Sequence, residues 1–207
     1  MPEGFLDQQA KEAITDAIKD IEARCSAEVV VVVRARSAGY LHVPVMLGIV
    51  AAFAMQAVAL YSDFSFSLLS ILLEPFAVGL VAGLLASRAP MLGRWLTPAA
   101  VKRRHVARAA KAAFYDKGVR HTRERTGMLV YVSLVERMVE IVIDSGVEAV
   151  IARVGWDEVV GRVAETVRRG GDGSKVAEAL RGLGDILAPV LVRGDDDINE
   201  LPDEVCG

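Results

Sequence analysis

Histidine and cysteine are both scarce in this 207-residue chain, with three of the first and two of the second. Cys25 and Cys206 lie near opposite ends, and neither has another Cys or a His at metal-ligand spacing. That argues against a zinc site, and two cysteines cannot form the framework of a small disulfide-stapled fold. No other feature looks extracellular, so no structural disulfide is expected. An excess of positive charge is missing too. The formal net charge is −3, which excludes a basic arm for nucleic acid, and no nucleic-acid partner is expected. The first 36 residues also lack the basic start and apolar run of a signal peptide. They are acidic and amphipathic, with Asp7, Glu12, Asp16, Asp20 and Glu22.

The most informative absence is local. Between Ser37 and Ser87 the only charged residues are Asp63 and Glu74, whereas the other 156 residues carry 49 charges. This unevenness reconciles a hydrophobic content of 53% with a charged fraction of 25%. Ordinary soluble domains are nearer ~45–50% apolar. Within the stretch, Val43–Tyr61 and Leu68–Ala86 are two apolar runs of 19 residues. As helices they would each span roughly 28 Å, close to the ~30 Å hydrocarbon core of a bilayer. The connector Ser62–Ser67 (SDFSFS) is short and polar, with aromatics suited to an interface. A transmembrane hairpin is therefore expected, with the lipid bilayer as its first partner.

Flanking charge predicts its orientation. Arg34 and Arg36 precede the first run, and Arg88, Arg94, Lys102, Arg103 and Arg104 follow the second. The connector has no Lys or Arg. The positive-inside rule then places both termini in the cytoplasm and the protein in the inner (cytoplasmic) membrane. Arg88–Arg125 holds 11 basic and 2 acidic residues, and Trp95 within it suits headgroup level. Such a patch would attract anionic lipid at about 1 kcal/mol per well-placed cation; the plainer role of these charges is to set topology. Inside the spans, a turn centred near Ser65 brings Glu74 level with Gln56. A protonated Glu74 could then hydrogen-bond Gln56 and favour hairpin closure or oligomerisation. No second acid or base completes a proton or ion path, so transport is not expected.

The polar remainder reads as an α/β domain. Leu6, Ala10, Ile14, Ile18 and Ile21 recur at helical steps within Phe5–Arg24, and acids crowd its early turns. Glu28–Ala35 contains five successive valines, which predicts a central strand buried on both faces. Past the hairpin, Pro98 opens a helix to about Lys117. Gly127–Ser133 and Met138–Asp144 read as strands joined by the turn Leu134–Arg137. Helices follow over Gly146–Val154, Asp157–Arg169 and Ser174–Val192, the last with Ser174 as its cap. The expected fold is a small mixed β-sheet flanked by helices and interrupted by the two-helix hairpin. Its parts are 1–36, the hairpin with its flanks at 37–97, and 98–207, ending in an acidic tail.

The words in Arg125–Ile151 (RTGMLVYVSLVERMVEIVIDSGVEAVI) resemble the core of the TPM domain, or DUF477, family, specifically a bacterial membrane-bound subgroup. The strand Gly127–Ser133, the turn Leu134–Arg137, the strand Val139–Asp144 and the loop with Gly146 and Glu148 occur in that order. Phe5–Ala35 is similar to the family's opening elements, and Asn199–Asp203 (NELPD) to its closing segment. Asp144-Ser145-Gly146 stands where many relatives have Gly-x-Gly. The resemblance implies a membrane-associated α/β domain. It also brings the family's proposed phosphatase activity and calcium binding, and the association of plant relatives with photosystem repair.

The residues themselves offer little catalysis. His42, His105 and His121 stand alone, Ser133 lacks the glycines of a nucleophile elbow, and Gly170–Lys175 (GGDGSK) is too short for a phosphate loop. Asp144 and Glu148 are the strongest polar pair, at a strand end and a helix start, with oxygens suited to Ca²⁺ or Mg²⁺. A capping Asp and a solvated Glu are the simpler account of them. Asp195–Asp197 is a second, weaker candidate for a divalent cation. The expected function is a non-enzymatic, membrane-anchored TPM-like module that binds a membrane-protein partner or a second copy, or helps maintain membrane complexes. The alternative is a divalent-metal-dependent phosphatase at the cytoplasmic membrane face.

Overall fold

The computed structural model describes residues 7–151, 155–194, 200, 201, 205 and 206, except for the side chains of Pro90 and Arg94. In chain order the elements are helix α1 (Gln8–Arg24), strand β1 (Glu28–Arg34) and the helices α2 (His42–Tyr61), α3 (Leu68–Ser87), α4 (Pro90–Leu96) and α5 (Ala99–Asp116). A 3₁₀ turn (Val119–His121) leads to strands β2 (Gly127–Ser133) and β3 (Met138–Ile143). Helices α6 (Ser145–Ile151), α7 (Trp156–Arg168) and α8 (Gly173–Leu187) complete the order. The architecture is mixed α/β, with one three-stranded sheet flanked by helices.

The sheet order is β1-β2-β3. β1 lies parallel to β2 in the register Glu28↔Gly127 to Arg34↔Ser133. β2 and β3 are antiparallel, from Met128↔Ile143 to Ser133↔Met138. Parallel partners need a crossover connection, and here it holds α2 to α5. The valine run of β1 is buried as expected, but the strand is not central: β2 is. The outer edge of β1 is covered instead by short local partners. Cys206 donates its N–H to the Val31 carbonyl at 3.0 Å and accepts from Val33 N at 2.8 Å. The Glu22 carboxylate accepts from Val29 N at 2.9 Å.

Alternation along the strands builds two apolar layers. Val29, Val31, Val33, Met128, Val130 and Val132 face Ile14, Ile18 and Ile21 of α1, together with valines of α7 and leucines of α8. Val30, Val32, Leu129 and Tyr131 pack with Val106, Ala110 and Phe114 of α5. Consecutive valines are therefore all buried, because helices cover both faces of the sheet.

The chain divides into two compact units. One is Gly39–Lys102, and the other comprises the described residues on either side of it. These borders differ slightly from 37–97, since the first residues of α5 fall with the hairpin and its start lies two residues later. Helix α4 was not foreseen, because seven residues carry too little periodicity to read. Helix α1 takes Asp7 as its N-cap, with Ala10 N 2.7 Å from Asp7 Oδ1, and has no acid in its first turn. Helix α8 is capped by Asp172, which accepts from Lys175 N at 2.9 Å, and not by Ser174. It also stops at Leu187 and not at Val192, because Pro189 lacks the N–H that would continue it. Residues 152–154, Phe5 and Leu6, and Asp195–Asp197 lie outside the described residues, as does most of Asn199–Asp203.

Two outcomes follow. Asp172→Ala should lower stability by about 1 kcal/mol, and Ser174→Ala by less than half of that, read by urea unfolding of the detergent-purified chain. Glu140 lies opposite Tyr131 within the sheet. Burial pushes its carboxyl above the ordinary 4.5, against a smaller downward pull from Lys111. A raised carboxyl value means that the fold disfavours the charged form, so this group adds stability as pH falls through the raised value toward 4.5. Glu140→Gln should be at least as stable as the wild type at pH 7 and should flatten the pH dependence of unfolding across that window.

Candidate functional site

Asp144 follows β3 directly and is 6% exposed. Its N–H donates to the Gly127 carbonyl at 2.9 Å, and its carbonyl accepts from Glu148 N at 3.0 Å at the start of α6. Oδ1 accepts from Ser145 N at 2.7 Å, and Oδ2 lies 3.0 Å from Arg125 Nε in an ion pair that lacks hydrogen-bond alignment. Arg125 holds φ near +60°, uncommon for a side chain with a Cβ. The turn around it is pressed against Gly146, where a Cβ would stand 2.5 Å from the Glu124 carbonyl oxygen and 2.7 Å from that of Arg125. This corner is thus packed backbone to backbone, with Asp144 fixing both the helix start and Arg125. Glu148 is exposed on the first turn of α6. The fold places the pair next to one another along the chain, but Asp144 is already committed to protein groups. Among the described residues, no group of three or more His, Cys, Asp or Glu side chains is gathered as a metal ion would need.

A second polar cluster escaped sequence reading. Ser133, at the end of β2, is fully buried and donates to Glu136 Oε2. Ser37 Oγ donates to Ser133 Oγ at 2.8 Å, and Ser37 N reaches Glu136 Oε1 at 3.3 Å. Glu136 is itself 4% exposed. Although a serine beside a carboxylate suggests a nucleophile with its base, no substrate can reach a hydroxyl this buried. The cluster instead fastens the segment after β1 to the β2–β3 turn. The available signal was the Ser-x-x-Glu spacing at a strand end, which sets a hydroxyl against a carboxylate across a tight turn.

Within the other unit, α2 and α3 form an antiparallel pair that meets at glycines. A Cβ on Gly48 would lie 2.7 Å from the Gly79 carbonyl oxygen, and one on Gly79 would lie 2.8 Å from that of Gly48. Backbones approach this closely only where side chains are missing. Pro75 is buried inside α3. Gln56 lines a groove with Pro75 and Phe76, whereas Glu74, one residue earlier, points off the groove side. Both polar residues are half-buried, and no hydrogen bond joins them. The structure does not set Glu74 against Gln56: the two share a level, but a turn of about 100° per residue puts Glu74 on another flank.

Of the basic flank, Arg88, Arg103 and Arg104 are exposed and Lys102 is half-buried. Trp95 is 81% exposed on α4, whose Met91, Leu92 and Leu96 are exposed as well. Arg94 sits on the same helix. Helix α4 is held to the start of α2 by the Tyr40 side chain packed on Gly93 and by a 3.3 Å contact between Thr97 Oγ1 and His42 Nε2. The result is a short helix with an exposed apolar stripe, set within a run of cations.

In fold the chain is similar to BA42. That protein comes from the psychrophilic bacterium Bizionia argentinensis, and its structure was solved by NMR. The two share 18% identity at a TM-score of 0.60, the match covering 100% of this chain and 97% of the other. At that identity the likeness speaks for the fold alone. No protein-family model matches the chain, and no curated protein does either.

The corner at Asp144 yields a direct test. Asp144→Ala removes the contacts to Ser145 N and Arg125 and should destabilise the protein by about 1–2 kcal/mol. Glu148→Ala should stay within about 0.5 kcal/mol of wild type. Thermal unfolding with and without added Ca²⁺ reads both, and equal losses that appear only with Ca²⁺ would make the pair a metal site instead.

Proposed function

We propose that this chain is a membrane-anchored, TPM-like α/β module without catalytic activity of its own, whose cytoplasmic domain docks a membrane protein. In this reading α2 and α3 cross the bilayer, the connector at 62–67 faces away from the cytoplasm, and both termini remain in it. One observation carries the proposal. Both helices are 20 residues long with a mean hydropathy of 2.2, yet only 11% of each apolar window is buried. Val45, Ile49, Phe53, Leu60, Leu68, Leu72, Phe76, Leu80 and Leu84 are all more than half exposed. At roughly 1.5–3 kcal/mol for each such side chain, leaving this surface in water would cost tens of kcal/mol. A core helix of a soluble protein would be mostly buried, and a signal sequence would not sit mid-chain.

The flank supports the same reading. Arg88, Arg94, Lys102, Arg103 and Arg104 lie at the ends of the apolar segments, and the connector has no cation. The exposed stripe of α4 with Trp95 suits the headgroup boundary, where apolar side chains and cations are both accommodated. Anionic lipid is the chemistry that this segment would prefer.

Alkaline carbonate extraction should leave the protein in the membrane pellet, and release would remove the anchoring proposal. With Cys25 and Cys206 replaced by serine, an impermeant maleimide added to intact cells should label Ser65→Cys but not Lys117→Cys. The opposite pattern would invert the orientation. Purified protein given a phosphate monoester and Mg²⁺ or Ca²⁺ should show no turnover; turnover that Asp144→Ala abolishes would establish the phosphatase.

A further inference from the structure

The hairpin carries a polar group that its own fold leaves unmatched. Gln56 lines a groove of about 610 Å³ between α2 and α3, with Ala52, Phe53, Pro75, Phe76 and Leu80 among its neighbours. The carboxamide has no hydrogen-bond partner among the described residues. Ser87, at the far end of the groove, is already satisfied through the Leu84 carbonyl at 2.7 Å. Phe53 and Phe76 each stand 72% exposed.

The depth of Gln56 matters. It lies five residues before Tyr61, the end of α2, or roughly 7 Å along the axis. Side chains on a helix lean toward its N-terminus, so this one leans away from the nearby end and toward the hydrocarbon. An acyl chain filling the groove would cover the apolar lining yet leave an amide N–H₂ and a carbonyl without partners, which lipid cannot supply. A carboxamide, however, is its own complement. Two of them related by a two-fold axis exchange a pair of N–H···O bonds, each donating and each accepting.

We propose that the groove takes a second copy of this chain, with the two Gln56 side chains paired across the two-fold axis of a homodimer in the membrane. This rests on the reading that the hairpin crosses the bilayer. The glycine contact between α2 and α3 closes each hairpin, and the open groove beside it accepts the Phe53 ridge of the other copy. Glu74 takes no part, because it lies on another flank.

The full chain, reconstituted in neutral phosphatidylcholine vesicles and titrated by energy transfer between labelled copies, should dimerise. Gln56→Leu should raise the dissociation constant about tenfold. With Cys25 and Cys206 replaced by serine, mild oxidation should cross-link Gln56→Cys into a covalent dimer but leave Val81→Cys, which is outside the groove, without a cross-link. Wild-type protein that is monomeric, an unchanged dissociation constant for Gln56→Leu, or equal cross-linking at Val81 would each overturn the proposal. A monomer that retains lipid through purification would overturn it as well, giving the groove to an acyl chain. Those results would leave the anchor intact as long as carbonate extraction keeps the protein in the pellet; release into the supernatant would overturn both.

Discussion

The constraint on which the rest depends is the valine run of β1. A strand apolar on successive residues has to be covered above and below, and no single amphipathic helix can do that. Helix α1 reaches one face with Ile14, Ile18 and Ile21. The other face waits for Val106, Ala110 and Phe114 of α5. Its hydrogen-bonding partner, β2, begins only at Gly127. Everything that completes β1 therefore lies beyond the apolar hairpin. Parallel pairing already demands a long connection between the two strands, and that connection is where the hairpin resides. The α/β part is one fold whose crossover has been put to a second use.

Much of this was legible from residue types. The boundaries of β1, β2, β3, α2 and α3 fall within about a residue of those read from apolar runs, because composition changes abruptly at their ends. The location of β1 in the sheet was not legible. Among the described residues its outer edge is closed by the Glu22 side chain and by Cys206, and pattern alone cannot distinguish that from a neighbouring strand. The cap of α8 was a choice between Asp172 and Ser174, two good capping residues two positions apart. Backbone geometry decided it.

The candidate site was less legible than the fold. Asp144 stood out correctly as an acid at a strand end, but its ion pair with Arg125 comes from a tight turn whose positive φ leaves little trace in sequence. Glu136 is not legible as buried because an acid in a turn is normally solvated, whereas here the Ser133 hydroxyl and the Ser37 N–H draw it inward. For Gln56 and Glu74, depth in the hairpin was readable and azimuth was not. The rotation of each helix is set by the contact between Gly48 and Gly79, which permits only one face of each to meet.

The pairing of β1 with β2 also sets an order of events during synthesis. Ninety-two residues separate Arg34 from Gly127. At the usual ~5–20 residues per second, β1 leaves the ribosome roughly 5–20 s before its partner strand exists. In that interval α1 can shield one face of the valines, while the opposite face and the pairing edge stay bare. A β-branched run in this state is a template for association with other chains. Newly made protein thus passes through a window in which a segment later buried on both faces lies open to other chains, and the length of that window is set by the rate of elongation through the connection.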